Sequence, residues 1–184
     1  KVSLLSYDIK ARQTRTMQLE LDNDGYIPRL MPTSSAETMI VCTMNRHQDD
    51  LRIYSFNPRS TVCRMLIKES VPKYVKEEVL ENIKITSSHI VLPSDRSGFM
   101  QLYLYGLNGQ MQSKLTPDGK DVTAVYAYDE QSGKVFYQSV GDVPMQRVVC
   151  SSDKNGKTTV LSDKKGWNSA IFSENCKYFL CEWS

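Results

Sequence analysis

At 184 residues and 40% hydrophobic content, the chain is long enough to bury a substantial core and has the apolar share of an ordinary globular domain. No apolar run approaches the ~18 residues of a membrane-spanning helix. A net charge of +2, with Lys and Arg scattered rather than massed, argues against nucleic acid as the main partner, which would want a basic stripe.

Residues 1–21 read as the two outer strands of a four-stranded unit, the second running from Thr16 to Leu21. Asp22-Asn23-Asp24-Gly25 resembles a calcium loop only superficially, because the remaining ligands and the closing Glu are missing; a turn is expected. A full unit follows over about 27–67, with Ile40-Val41-Cys42-Thr43-Met44 as a continuous, doubly buried strand and Asn45 to Asp50 as a hairpin. A second runs over about 83–115. Here Asp95-Arg96-Ser97-Gly98 makes a tight turn, and Leu102 and Leu104 then alternate with Tyr103 and Tyr105. Period two sends leucines and tyrosines to opposite faces, which predicts a half-buried strand. Asn108-Gly109 supplies the next hairpin turn. A third unit occupies about 122–161, with Asp129 to Gly133 as a hairpin loop, and residues 166–184 are the two inner strands of a fourth.

One line recurs through these units: Leu4-Leu5-Ser6-Tyr7, Leu51-Arg52-Ile53-Tyr54, Leu102-Tyr103-Leu104-Tyr105 and Arg147-Val148-Val149-Cys150. Its last positions, 7, 54, 105 and 150, are 47, 51 and 45 residues apart. Four strands repeating every about 40–50 residues is the pattern of a β-propeller. The expected fold is therefore all-β, a partial, open β-propeller with three complete blades (27–67, 83–115, 122–161) and two half-blades (1–21, 166–184). Lys1 opens the chain without an initiator Met, so a piece of a longer chain is expected and the lack of a signal peptide says nothing of compartment. The open blade edges predict self-association, as a homodimer or an irregular closure, in the isolated chain.

Little chemistry is visible. The five cysteines, Cys42, Cys63, Cys150, Cys176 and Cys181, are odd in number and lack CxxC spacing. They suggest small buried hydrophobes rather than a zinc site or a disulfide framework. His47 lies in a hairpin and His89 at a strand start, neither with a second ligand at metal-binding spacing. No metal or cofactor is expected. No G-x-S-x-G nucleophile elbow occurs, and the Gly106 to Gly109 turn joins strand to strand, unlike a phosphate loop. The pairs Asp49-Asp50 and Glu77-Glu78 read as solvated charge, and Tyr126, Tyr128, Phe136, Tyr137 and Trp167 as core or blade-interface aromatics. One segment breaks the β pattern. From Tyr74 to Ile83, Val75, Val79, Leu80 and Ile83 recur near helical spacing, predicting one or two turns of amphipathic helix, either an insertion projecting from the propeller face or a connector on a blade edge.

Several segments together resemble the N-terminal β-propeller of the dipeptidyl peptidase IV family, particularly its bacterial members. Asn45-Arg46-His47-Gln48 with Leu51-Arg52-Ile53-Tyr54 resembles a blade hairpin of that family. Ser94 to Phe99 with Leu102-Tyr103-Leu104-Tyr105 is similar to its SERDG(W/Y)…LYLY segment, with Asp for Glu and Ser for the second Asp. Leu115-Thr116, Asp121-Val122-Thr123, Tyr128 to Tyr137 and Gly166 to Ser184 resemble further family runs, so that the likeness covers nearly the whole chain.

The resemblance implies a prolyl oligopeptidase-type serine exopeptidase, periplasmic or secreted, that removes X-Pro or X-Ala dipeptides from peptide N-termini. In that family the propeller caps an α/β-hydrolase domain, filters substrates by size and supplies acidic residues for the substrate's free amino terminus, a charge-assisted contact. The Ser-Asp-His triad belongs to a C-terminal domain outside this sequence, so no catalytic residue is expected here. The family's paired glutamates are expected upstream of Lys1 and are not assigned to Glu77-Glu78. By order in the chain, Tyr74 to Glu78 corresponds to a loop that in some relatives lines the extended substrate side of the cavity, which marks Tyr74, Lys76 and Glu77 as candidate cavity residues. The expected role is a non-catalytic, substrate-gating and orienting propeller. The alternatives are a protein–protein interaction propeller of an inactive relative and, least supported by the residues, an enzyme with its site at the central channel.

Overall fold

A computed structural model describes residues 2–184; of the expected first half-blade, Lys1 lies outside the described residues. Contacts divide the chain into two units, residues up to Lys76 with Leu107–Gln110, and Glu77–Gly106 with Met111–Ser184. In chain order the elements are β1 (Leu5–Asp8), β2 (Gln13–Thr16), β3 (Tyr26–Pro32), β4 (Met39–Met44), β5 (Asp50–Phe56) and β6 (Cys63–Ser70). Then come α1 (Glu77–Asn82), β7 (Lys84–Ile85), β8 (His89–Ser94), β9 (Gln101–Gly106), β10 (Met111–Lys114), β11 (Val122–Asp129) and β12 (Lys134–Val140). The chain closes with β13 (Arg147–Ser152), β14 (Thr158–Val160), β15 (Asn168–Phe172) and β16 (Phe179–Trp183).

The strands form three four-stranded antiparallel meanders, β3-β4-β5-β6, β7-β8-β9-β10 and β11-β12-β13-β14, and two two-stranded sheets, β1-β2 and β15-β16. The chain is thus all-β, a partial, open propeller with three blades and two half-blades. Each third strand ends in an Asx turn, where a short carboxylate or amide oxygen takes backbone N–H groups just ahead of it. Asp8 accepts from Lys10 and Ala11, Asn57 from Arg59 and Ser60, Asn108 from Gln110, and Asp153 from Asn155 and Lys157.

These turns explain one displaced boundary. The second strand of the first half-blade is Gln13–Thr16, not Thr16 to Leu21, because the Asp8 turn reverses the chain at once and pairs Asp8 with Gln13. Met17 then bonds back to Leu4 O at 2.9 Å, and Gln18 makes a parallel bridge to Val62. Leu4 and Met17 join Val41, Tyr54 and Phe56 in one buried cluster of the first unit. At ~1.5–3 kcal/mol for each large apolar side chain removed from water, this cluster fixes β1-β2 on its neighbouring blade.

Two of the middle strands, β4 and β8, are nearly continuous buried runs, as packing on both faces requires. β4 is buried from Ile40 to Met44, as expected. The half-buried reading of β9 is corrected: all six residues are buried, Tyr103 and Tyr105 included. The tyrosines still differ from the leucines in their surroundings. Arg96, from the preceding turn, lies 4.4 Å over the Tyr103 ring and donates to Tyr105 OH at 2.9 Å. Alternation therefore records two chemically different buried faces.

Within the second unit, side chains stitch one sheet to the next. Asp121 accepts from Met100 N at 2.6 Å, while Thr116 donates to Gln101 at 2.7 Å and accepts from Leu102 N at 3.0 Å. Gln138 donates to Asn168 O at 2.6 Å, and Asn168 in turn donates to Arg147 O and Lys164 O. Phe172 packs against Tyr126, Phe136 and Phe179 with ring centroids 5.6, 4.6 and 5.1 Å away. Tyr137 is buried, its hydroxyl bonded to Ser152 and Thr158. Trp167 departs from the core expectation: it is 48% exposed, with the Arg147 guanidinium 4.7 Å over its ring.

The cysteines divide by site rather than behaving alike. All five are free; Cys42 and Cys150 are buried, Cys63 and Cys176 are half-buried, and Cys181 is exposed. Burial pushes the Cys42 thiol up to about 12 and that of Cys150 up to about 11.

Candidate functional site

The segment that interrupts the β meander carries the three candidate cavity residues. In the first unit it is hung on the β4-β5 hairpin. Asn45 Oδ1 accepts from Asp49 N and Asp50 N, and Asn45 Nδ2 donates to Asp49 at 2.6 Å, so the hairpin is closed by its own first residue. His47 lies exposed in this turn, as expected. The carbonyls of Asp49 and Gln48 then take Val71 N at 2.9 Å and Val75 N at 2.6 Å. Val75 is buried, and Tyr74 and Lys76 on either side of it are exposed.

Glu77 opens α1 in the second unit. At six residues, α1 is too short to hold by itself. Buried Val79 and the following Ile83 anchor it, and it packs against β8 and β11. Glu77 and Glu78 occupy the first turn, where negative charge suits the helix dipole, and both are exposed. The amphipathic helix expected between Tyr74 and Ile83 is thus present over Glu77–Asn82.

Two charged groups behave differently from the expectation of solvated or turn residues. Asp50 is not free in water: its carboxylate takes Arg52 at 2.8 Å and Lys68 at 3.5 Å, and Arg52 also approaches Asp22 at 3.8 Å. Burial raises the Asp50 pKa, but the hydrogen bond and charge of Arg52, with Lys68, outweigh it and hold the carboxyl below its ordinary value. Asp22 meanwhile accepts Gly25 N at 3.0 Å, the turn expected of Asp22-Asn23-Asp24-Gly25.

His89 is not an isolated turn residue either. It opens β8, and its Nδ1 lies 2.9 Å from Glu130, at the tip of the β11-β12 hairpin. The same carboxylate accepts Ser88 N at 2.8 Å and the hydroxyls of Thr86 and Ser87. Burial works against ionisation of Glu130, yet the four donors, Ser87 first, bring its pKa down to about 2. The His89 ring meets Tyr128 edge-on at 5.7 Å. Beside this knot the β15-β16 hairpin contributes Glu174, Asn175, Cys176 and Lys177 to a polar recess of about 390 Å³ that also touches Thr86, Tyr128 and Glu130. Sequence spacing gave no sign of the knot, because its members stand 41 to 44 residues apart.

A second recess, about 370 Å³, lies against the β11–β14 sheet, with Val122, Val148, Val160 and the Tyr137 ring on its wall. Among the described residues no group of three or more His, Cys, Asp or Glu side chains is placed to hold a metal ion, and no helix is long and apolar enough to cross a membrane. The segment carries exposed Tyr74 and Lys76 beside buried Val75 in the first unit, and exposed Glu77 at the start of α1 in the second.

The whole chain, residues 1–184, matches the family model of the dipeptidyl peptidase IV (DPP IV) N-terminal region. It is similar to the crystal structure of Porphyromonas gingivalis dipeptidyl peptidase 4, with 36% sequence identity and a TM-score of 0.94 over 99% of this chain. It also shares its fold with a Bacteroides ovatus protein described as a dipeptidyl aminopeptidase IV, at 16% identity and a TM-score of 0.75, over 97% of this chain. The chain spans 26% and 28% of the lengths of these two proteins. With the family match extending over every residue, the chain belongs to the dipeptidyl peptidase IV N-terminal region family.

Proposed function

We propose that this chain is the substrate-gating and orienting part of a serine exopeptidase that releases X-Pro or X-Ala dipeptides from peptide N-termini, acting in the periplasm or outside the cell. The observation that carries this reading is the family match along the entire chain, joined to 36% identity with a dipeptidyl peptidase 4 over 99% of this chain. In this reading the chemistry is done by a triad on another domain, and the propeller admits and aligns the peptide. Tyr74, Lys76 and Glu77 line the extended substrate side of the cavity: an aromatic face for apolar side chains and a charge of each sign for the peptide's polar groups. Their exposure beside a buried anchor, Val75, suits side chains that must meet a ligand without shifting the backbone.

The decisive assay is hydrolysis of Gly-Pro-arylamide by the protein that carries this chain together with its downstream region, beside the isolated chain. Turnover by the long form and none by the short one is the expected result. A folded long form without turnover would leave an interaction propeller as the better reading. The isolated chain is also expected to self-associate or close irregularly through the edges of its two half-blades, 1–21 and 166–184, each a two-stranded sheet among the described residues. Sedimentation as a compact, concentration-independent monomer would refute that expectation.

A further inference from the structure

We propose that Asn82 is a positioning residue that sets the placement of α1, and of Glu77 at its start, by clamping the helix to the innermost strand of the third blade; the consequence for substrate rests on the peptidase reading above.

β11 is the edge strand of its sheet, with β12 as its sole strand neighbour among the described residues. Its register with β12 slips between Val125 and Ala127, which pair with Tyr137 and Phe136. The bulge leaves Tyr126 outside the ladder, while Val125 stays opposite Tyr137. Val125 is buried, so its N–H cannot turn to water. It donates instead to Asn82 Oδ1 at 2.7 Å, 43 residues away in the chain. The other half of the same amide donates from Nδ2 to Glu78 O at 2.8 Å, one turn back in α1, which fixes the orientation of the amide on its own helix.

One planar side chain thus bonds its own helix at one end and the edge strand β11 at the other. The apolar contacts of Val79 and Ile83 press α1 onto the fold without fixing its position along the strand. A two-ended hydrogen bond is directional and does fix it. Six residues of helix have little rigidity of their own, so losing the clamp lets α1 and Glu77 move while the blade remains intact.

The test uses the full-length protein with Asn82→Ala and Asn82→Asp. Alanine removes both bonds; aspartate keeps an acceptor for Val125 N–H and loses the donor to Glu78. In the alanine variant, amide exchange at Val125 and through 77–82 is expected to quicken about tenfold, the scale of one lost buried hydrogen bond, with the remaining β11–β14 amides unchanged. KM for an extended peptide is expected to rise several-fold relative to that for Gly-Pro-arylamide, with kcat constant, and aspartate to restore most of the difference. Unchanged exchange at α1 and Val125 would overturn the clamp. Faster exchange with an unchanged KM ratio, or kcat and KM moving only with the folded fraction, would overturn its role toward substrate. A wild-type protein that folds but hydrolyses nothing would defeat the peptidase reading and that role with it, while the exchange data still decide the clamp.

Discussion

Asp50 in the first unit and Glu130 in the second are both carboxylates drawn out of water and held ionised, and they are held by opposite means. Asp50 is neutralised by cations, Arg52 and Lys68. Glu130 is ringed by hydroxyls, a backbone N–H and an imidazole nitrogen, four donors that come from one short turn of a neighbouring hairpin. The first arrangement is a local affair of one sheet, Asp50 and Arg52 on one strand and Lys68 on the next. The second ties together two hairpins that no backbone ladder joins. A charge met by charges tolerates imprecise geometry; a charge met by dipoles must be surrounded, and so it specifies position.

That difference can be broken most visibly by Glu130→Ala, which leaves four donors without their acceptor. A loss of about 3 kcal/mol is expected, read as a lowered Tm and as faster amide exchange at 86–89 and 129–133; a variant as stable as the parent would show the knot to be incidental. Asp50→Asn is expected to cost less, about 1–2 kcal/mol, because Arg52 retains Asp22 and partial access to water. Equal losses at the two sites would erase the distinction.

Acid sharpens the comparison. The folded pKa of Glu130 is about 2 against an ordinary 4.5, so its contribution is complete above pH 4.5 and declines as pH falls toward 2. The stability gap between the parent and Glu130→Gln should therefore be widest at neutral pH and close progressively below about pH 4.5. A gap that stays constant down to pH 2.5 would mean that the carboxylate's charge is not what the donors recognise. Salt gives the smallest effect. Raising ionic strength from 0.05 to 0.5 M should trim the Asp50→Asn penalty by a few tenths of a kcal/mol and leave that of Glu130→Ala nearly untouched.

The same contrast explains what could be read from the sequence. The blades were legible because each repeats the same local bargain: an apolar line ending at Tyr7, Tyr54, Tyr105 or Cys150, followed within a few residues by Asp or Asn. Asp8 belongs to the same pattern, and the turn it makes sets β2 at Gln13–Thr16. The identity of Tyr103 and Tyr105 suggested a wetter face than β9 has, because a tyrosine can be buried when a guanidinium covers it. At the candidate site, the helix between Tyr74 and Ile83 was visible as a change of period. The Asn82 clamp and the Glu130 knot were not, because each joins residues more than 40 positions apart and neither needs a recognisable local pattern. Long-range polar contacts are chosen by the finished fold, one pair at a time, and leave no periodicity behind.

The two buried thiols give the molecule a pair of internal clocks. A thiol whose pKa stands near 12 or 11 holds almost no thiolate at neutral pH, and the thiolate is the form that alkylating reagents attack. Cys42 lies in the first unit and Cys150 in the second. While the fold is closed, a reagent meets Cys181 first, with Cys42 and Cys150 silent. Each becomes reactive only when its own blade opens, so the order in which the two take up label dates the opening of one unit against the other in an otherwise unmodified chain.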